Sequence, residues 1–273
     1  MANDCITRSG LHCEVYGSGD PVLCLHGLGA STHSWRELRE PLSKQNKLFL
    51  LDFKGHGASP KPKDKRYAIK DHAESAYQFI LEHDLRKLTL IGNSMGGAVS
   101  LLVSLRLCEE NSGRLQRLIL IDSGGYDLHL PTHLKMLRTP ILGWLMIHLL
   151  PPKLAALTVL KNCYYDDSKI TQEQIEAYAR PIADRGGRHG LLETAKQIIP
   201  PDIDELILKY PKITVPTLII WGRQDKIIPL VIGELLDAAL PDSRLTIIER
   251  SGHVPQEETP RMAVPLVLDF LNS

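Results

Sequence analysis

The sequence predicts an α/β protein, a mostly parallel β-sheet with helices on both faces. Three observations carry that prediction. Short apolar runs alternate along the chain with segments whose apolar residues recur at helical spacing. The runs are apolar throughout, as strands are when helices cover both of their sides. One such run and one such helix flank Gly92-Asn93-Ser94-Met95-Gly96, a Gly-x-Ser-x-Gly, and that setting separates the motif from a chance match.

The elements follow in order. Residues 3–8 and 11–16 read as two strands joined around Ser9-Gly10, an antiparallel hairpin. Gly17 to Pro21 is a turn by composition. Val22 to Leu25 is a short buried strand that delivers the chain into His26-Gly27-Leu28-Gly29-Ala30. A helix is expected from Ser34 to Ser43, with Pro41 threatening to shorten it. Lys47 to Leu51 is the next strand, and the glycine-rich loop Asp52 to Ser59 leaves its end. Ile69, Ala73, Ala76, Phe79 and Ile80 mark a helix ending near His83. Lys87 to Ile91 is the strand ahead of Ser94, and Ala98 to Leu105 the helix behind it. Leu115 to Ile121 is a further strand, ending at Asp122. Late in the chain, Thr217 to Trp221 and Leu245 to Glu249 read as strands, Val231 to Ala239 as a helix between them, and Thr259 to Leu271 as a closing helix.

The stretch from 126 to 200 breaks this rhythm. It has no clear strand, and Pro131, Pro140, Pro151-Pro152 and Pro181 cut its helical patterns. We read 1–125 and 201–273 as one core and 126–200 as a helical cap, or lid, inserted between two strands. Ile141 to Leu150 and Lys153 to Leu160 together approach the length of a membrane span, but Pro151-Pro152 divides them and His148 and Lys153 lie inside. Two short helices over an apolar pocket are expected rather than stable membrane insertion, with contact at a membrane surface as the alternative.

Composition narrows the function. A chain of 273 residues affords one large domain with an insertion. Lys+Arg and Asp+Glu are 32 each, so the balanced charge disfavours nucleic acid as a partner. The densest basic run, Lys61 to Arg66, contains Pro62, follows Pro60 and sits between elements, as a solvated loop does. The five cysteines are odd in number and scattered, without a Cys-x-x-Cys, which signals neither a disulfide framework nor a zinc site. The start, Met1 to Cys5, lacks a basic-then-apolar leader, so a cytoplasmic location is the expectation.

The chemistry gathers at strand ends. Between strand and helix, Ser94 must sit on a tight turn, with Gly92 and Gly96 where a Cβ would collide. A serine alcohol needs a base within hydrogen-bond reach, and histidine is best matched to neutral pH. Of eleven histidines, His253 in Ser251-Gly252-His253-Val254 follows the last strand, at the same C-terminal sheet edge as Ser94. An acid must orient that base. Asp225 follows the penultimate strand and is preferred, with Asp122 as its rival. The amides of Met95 and Leu28 are the expected oxyanion donors, while His26 and His56 are read as bracing their loops. Trp144, Met146 and Leu149 of the cap are expected to line the pocket.

These motifs resemble the α/β-hydrolase superfamily over essentially the whole chain: the His26-Gly27 loop, Asp52-x-x-Gly-x-Gly-x-Ser59, the serine turn, the helical cap, and the late Asp225 and His253, in the order Ser–Asp–His. The resemblance implies hydrolysis through an acyl-enzyme with no metal or organic cofactor. A serine at 94 sets the chain apart from the branches that carry aspartate there, the epoxide hydrolases and haloalkane dehalogenases. Gly92 to Gly97 with Trp221 to Asp225 is similar to the carbon–carbon bond hydrolases of aromatic-ring degradation. The His26 to Ala30 loop is similar to that of carboxylesterases and lactonases. The expectation is a carboxylesterase acting on a small-molecule ester. The alternatives are a carbon–carbon bond hydrolase, with Arg180 or Arg188 receiving a substrate carboxylate, a lactonase, a lipase-like enzyme at a lipid surface, and a ligand sensor on the same fold.

Overall fold

A computed structural model describes residues 3–8, 10–127 and 132–273. Eight strands form one sheet: β1 (Asn3–Ile6), β2 (His12–Tyr16), β3 (Asp20–Leu25), β4 (Asn46–Leu51), β5 (Leu88–Asn93), β6 (Leu115–Ile121), β7 (Thr217–Gly222) and β8 (Ser243–Ile248). Their order across the sheet is β1-β2-β4-β3-β5-β6-β7-β8. The pairs β1–β2 and β2–β4 are antiparallel, and from β4 through β8 every neighbouring pair is parallel.

The helices of the first half are α1 (Arg36–Ser43), α2 (Ile69–Glu82) and α3 (Met95–Glu109). Between β6 and β7 come α4 (Thr132–Arg138), α5 (Pro140–Leu149), α6 (Pro152–Cys163), α7 (Gln172–Ala183), α8 (Arg185–Lys196) and the short α9 (Ile203–Ile207). The last are α10 (Val231–Ala239), the four-residue α11 (Pro255–Glu258) and α12 (Pro260–Asn272). A 3₁₀ turn, Thr32–Trp35, takes the start of the helix expected from Ser34, and α1 runs through Pro41 to Ser43 without shortening.

Alternation along each strand divides the core. Leu23 and Leu25 of β3 pack with Phe49 and Leu51 of β4 against α2, α3 and α10. Val22 and Cys24 pack with Leu48 and Leu50 on the other face, against Trp35, Leu38 and Leu42 and against Ala263, Val267 and Phe270 of α12. Each such buried leucine contributes about 1.5–3 kcal/mol. The strand ends are level: Leu25 pairs with Leu51 and Gly92, Asn93 with Ile121, Ile121 with Ile220, and Gly222 with Ile248. That register brings the segments after β3, β4, β5, β6, β7 and β8 to one edge of the sheet. Among the described residues, no single helix is long and apolar enough to cross a membrane.

Candidate active site

Ser94 joins β5 to α3 at φ 56° and ψ −118°, a region that a residue with a Cβ occupies only when its surroundings enforce it. They do. The Ser94 amide donates to Ile121 O (3.0 Å), and its carbonyl accepts from the amides of Gly97 (3.0 Å), Ala98 (3.2 Å) and Gly124 (2.9 Å). The flanking glycines make the crossing passable. A Cβ on Gly92 would lie 2.3 Å from Gly96 O, and one on Gly96 would lie 1.9 Å from Leu25 O.

His253 meets this hydroxyl. Its Nε2 is 2.8 Å from Ser94 Oγ, and its Nδ1 is 2.7 Å from Asp225 Oδ2. A carboxylate accepts only, so Nδ1 carries the proton and donates to Asp225, leaving Nε2 to accept from the serine hydroxyl. The remaining Asp225 oxygen, Oδ1, accepts from the amides of Ile227 (2.7 Å) and Ile228 (3.1 Å). Both side chains are withdrawn from solvent, His253 5% and Asp225 0% exposed, which keeps water from competing for these bonds.

Sequence reasoning passed over Asn93. Its side-chain amide donates to Ile121 O (3.0 Å) and to His253 O (3.2 Å), tying the histidine loop to the strand that carries the serine. A buried amide one residue before the turn was the available signal. The rival acid, Asp122, directly follows β6 and is fully buried, with Oδ1 accepting from Gly222 N at 2.9 Å. Burial, and then the Asp225 carboxyl beside it, raise its pKa well above the carboxylate range. One donor atom each of Asp122, Asp225 and His253 lie within 4.8 Å of one another, the one cluster of metal-ligand type among the described residues. Two of the three already satisfy each other through the histidine–aspartate hydrogen bond.

The His26 loop stands against the serine. A Cβ on Gly27 would lie 3.3 Å from Ser94 Cβ, and Leu28 lines one cavity together with Ser94 and His253. His26 braces that loop. Its Nδ1 donates to Gly27 O (2.8 Å) and its Nε2 accepts from Phe53 N (3.1 Å), while burial lowers its pKa and keeps the ring neutral. Met95, the first residue of α3, lines a second cavity with Ser94.

The two cavities meet at Ser94 and share Ile198 and Ile227. One is about 90 Å³ and runs between Met95, Leu102, Tyr126, Ile203 and Ile232. The other is about 140 Å³ and runs under Ala156, Val159, Tyr178, Ile182 and Leu191. No lysine or arginine is among the described residues lining either one.

Several expected pocket residues lie elsewhere. Trp144 and Leu149 are exposed and line neither cavity; Trp144 stacks instead on His148, ring centroids 4.6 Å apart. Met146 lies outside the described side chains. Arg180 lines a separate polar cleft with Glu14, Asp52 and Lys61. Arg188 donates through Nε to Ile182 O at 2.5 Å.

The chain is similar to known proteins over nearly its whole length. The family model described as alpha/beta hydrolase fold matches residues 20–145 and 160–260. An uncharacterized hydrolase of Bacillus subtilis, YugF, is 30% identical over 257 residues, covering 92% of this chain and 89% of that protein. A 2-hydroxy-6-oxononadienedioate/2-hydroxy-6-oxononatrienedioate hydrolase of Cupriavidus pinatubonensis is 28% identical over 277 residues, covering 98% and 92%. Among solved structures, a 2-hydroxy-6-oxo-6-phenylhexa-2,4-dienoate hydrolase from Rhodococcus superposes with a TM-score of 0.85 at 21% identity, covering 100% and 99%.

Proposed function

The chain belongs to the α/β-hydrolase fold family, and we propose that within it the protein is a serine hydrolase whose nucleophile is Ser94. The observation that carries this is the relay Ser94–His253–Asp225, with hydrogen bonds of 2.8 and 2.7 Å. Ser94 Oγ adds to a substrate carbonyl as Nε2 of His253 takes its proton. Asp225 holds the imidazole in the required tautomer and stabilises the imidazolium. The amides of Leu28 and Met95 receive the oxyanion. When the tetrahedral adduct collapses, the leaving atom takes the proton from His253 and Ser94 keeps the acyl group. Water then gives a proton to His253 and its hydroxyl to the acyl carbon, which frees the acid and restores the serine. The helices between β6 and β7 act in this reading as a cap over the two cavities.

The bond we assign first is a carbon–carbon bond beside a ketone in a conjugated keto acid. The support is the relative from C. pinatubonensis, nearly equal in length to this chain and named for such a substrate. This displaces ester hydrolysis from first place. Ester hydrolysis stands second on one structural observation: both cavities at Ser94 are apolar and without a cationic residue among the described lining, a fit for a substrate with no carboxylate to neutralise.

The test is a direct competition. Purified protein and Ser94→Ala are given a 2-hydroxy-6-oxo-6-phenylhexa-2,4-dienoate-type substrate, followed by loss of its chromophore, and p-nitrophenyl esters of increasing chain length. A kcat/KM at least about a hundredfold higher for the dienoate, abolished in the variant, is expected. The reverse ranking makes the protein an esterase. No turnover above the variant on either class defeats the hydrolase assignment and favours a ligand sensor.

A further inference from the structure

The helices α5 and α6 turn apolar side chains outward. Ile141, Leu142, Trp144, Leu149, Leu154 and Val159 are all exposed, Ile141 at 76% and Leu149 at 69%. Singly exposed apolar residues are ordinary, but six exposed on two successive helices mark a contact surface. Charge says what it contacts. From 128 to 165 the sequence has no aspartate or glutamate, yet it carries Lys135, Arg138, Lys153 and Lys161, in a chain whose net charge is zero. Lys153 and Lys161 reach Glu176 and Asp167 in exposed ion pairs, which contribute at most about 1 kcal/mol.

We propose that the outer face of α5 and α6 docks on the surface of an anionic phospholipid bilayer. The geometry suits lying on a membrane rather than crossing it. The two helices have 10 and 12 residues, about 15 and 18 Å at about 1.5 Å per residue, against a hydrocarbon core of about 30 Å. They are bent by 113° at Pro151-Pro152, so their apolar residues enter the interface as a wedge while the basic ones meet headgroups. A second copy of the chain is the poorer occupant, because an isologous contact would set this basic surface against itself.

The patch also leads inward. Leu150 and Val159 line an apolar cavity of about 110 Å³ with Leu137, Ile182 and Leu191. Leu137, Val159, Ile182 and Leu191 line the next cavity as well, the one that holds Ser94 and His253. A bilayer docked on this face therefore opens onto apolar walls that run to the serine. The docking goes beyond the assigned chemistry and holds whichever bond Ser94 cleaves, so the two readings fail separately.

The tryptophans provide the experiment. The chain has three; Trp35 and Trp221 are fully buried, and Trp144 is 51% exposed. The whole protein is mixed with vesicles of phosphatidylcholine alone or with one quarter phosphatidylglycerol, and read by fluorescence and by co-sedimentation. Expected are a blue shift and sedimentation with the anionic vesicles, weakened at least about tenfold between roughly 50 mM and 500 mM salt. Trp144→Phe is expected to sediment without the blue shift. The double variant Ile141→Glu/Leu154→Glu is expected to lose at least about tenfold in partitioning while its thermal unfolding stays unchanged. Failure of the intact protein to sediment with anionic vesicles overturns the proposal. So does a lipid-free dimer, seen by light scattering, that already shifts Trp144.

Discussion

Asp122 is the residue whose protonation can be read most directly. Burial first and Asp225 second hold its carboxyl well above the carboxylate range in the fold, whereas in the unfolded chain it ionises near about pH 3.9. A folded pKa above the unfolded one adds stability that is fully present below the unfolded value and is lost as pH rises toward the folded value. A carboxamide at this position has no such titration. In urea titrations run upward from about pH 4, the stability of Asp122→Asn relative to the parent is therefore expected to improve steadily, by on the order of 1 kcal/mol per pH unit while the folded carboxyl keeps its proton. A constant difference across that range would mean that Asp122 is ionised in the fold. The sequence placed Asp122 and Asp225 as rivals, because both end strands at the same edge. What separates them is finer than residue type: the amides of Ile227 and Ile228 fix one oxygen of Asp225 and aim the other at His253. Ser94 was legible for the opposite reason, since the glycines around it record a close crossing in the sequence itself.

The loop from β4 to α2 shows how one element depends on rings kept neutral. His26, His56 and His72 lie in a row, with ring centroids 5.3 and 6.1 Å apart. Burial lowers all three pKa values, that of His56 to about 3 and that of His72 well below the usual value. Unfolded histidines bind protons near about pH 6.5, so the unfolded chain takes up protons that the folded one refuses. Stability from this cluster is present above about pH 6.5 and falls as pH drops toward the folded values. Three such groups give a slope of up to about 4 kcal/mol per pH unit. His72 packs its ring near Phe53 and Tyr67, and its Nδ1 has no hydrogen-bond partner. His72→Phe is expected to remove one share, on the order of 1 kcal/mol per pH unit, from the slope of stability measured between about pH 6 and pH 4.5. An unchanged slope would place His72 outside the linkage. Composition marked this loop as glycine-rich and His56 as structural, but contact between residues 26, 56 and 72 is a product of strand order. Helix α5 was misread for a related reason. It is apolar on nearly every side, so periodicity gives it no phase, and the residues taken for pocket lining, Trp144 and Leu149, point outward.

At the scale of the whole molecule, the helices between β6 and β7 are fastened to the loop that carries His253. The Glu258 carboxylate accepts from Tyr165 N (3.0 Å) and Asp166 N (2.8 Å) through one oxygen and from Gly252 N (2.6 Å) through the other. His253 N in turn donates to Cys163 O at 2.6 Å. Beside it, buried Glu257 accepts from Ser34 Oγ, Tyr178 Oη and Arg36 Nη1. The short helix α11 thus holds the end of α6, the start of α1 and the His253 loop in one arrangement. No periodicity records such a junction, because it joins segments 92 and 93 residues apart in the chain. Glu258→Gln retains size and removes one acceptor, turning an amide N–H toward either Gly252 N–H or the two amides after α6. A buried donor left facing a donor costs about 1–3 kcal/mol, and that loss in unfolding free energy is the first expectation. The second is functional: with the His253 loop no longer fastened, kcat is expected to fall at least about tenfold while KM changes little, since neither apolar cavity is lined by Glu258. Steady-state kinetics beside denaturant titration separates the two effects. A stability loss with unaltered kcat would show that Glu258 anchors the helices without positioning the imidazole.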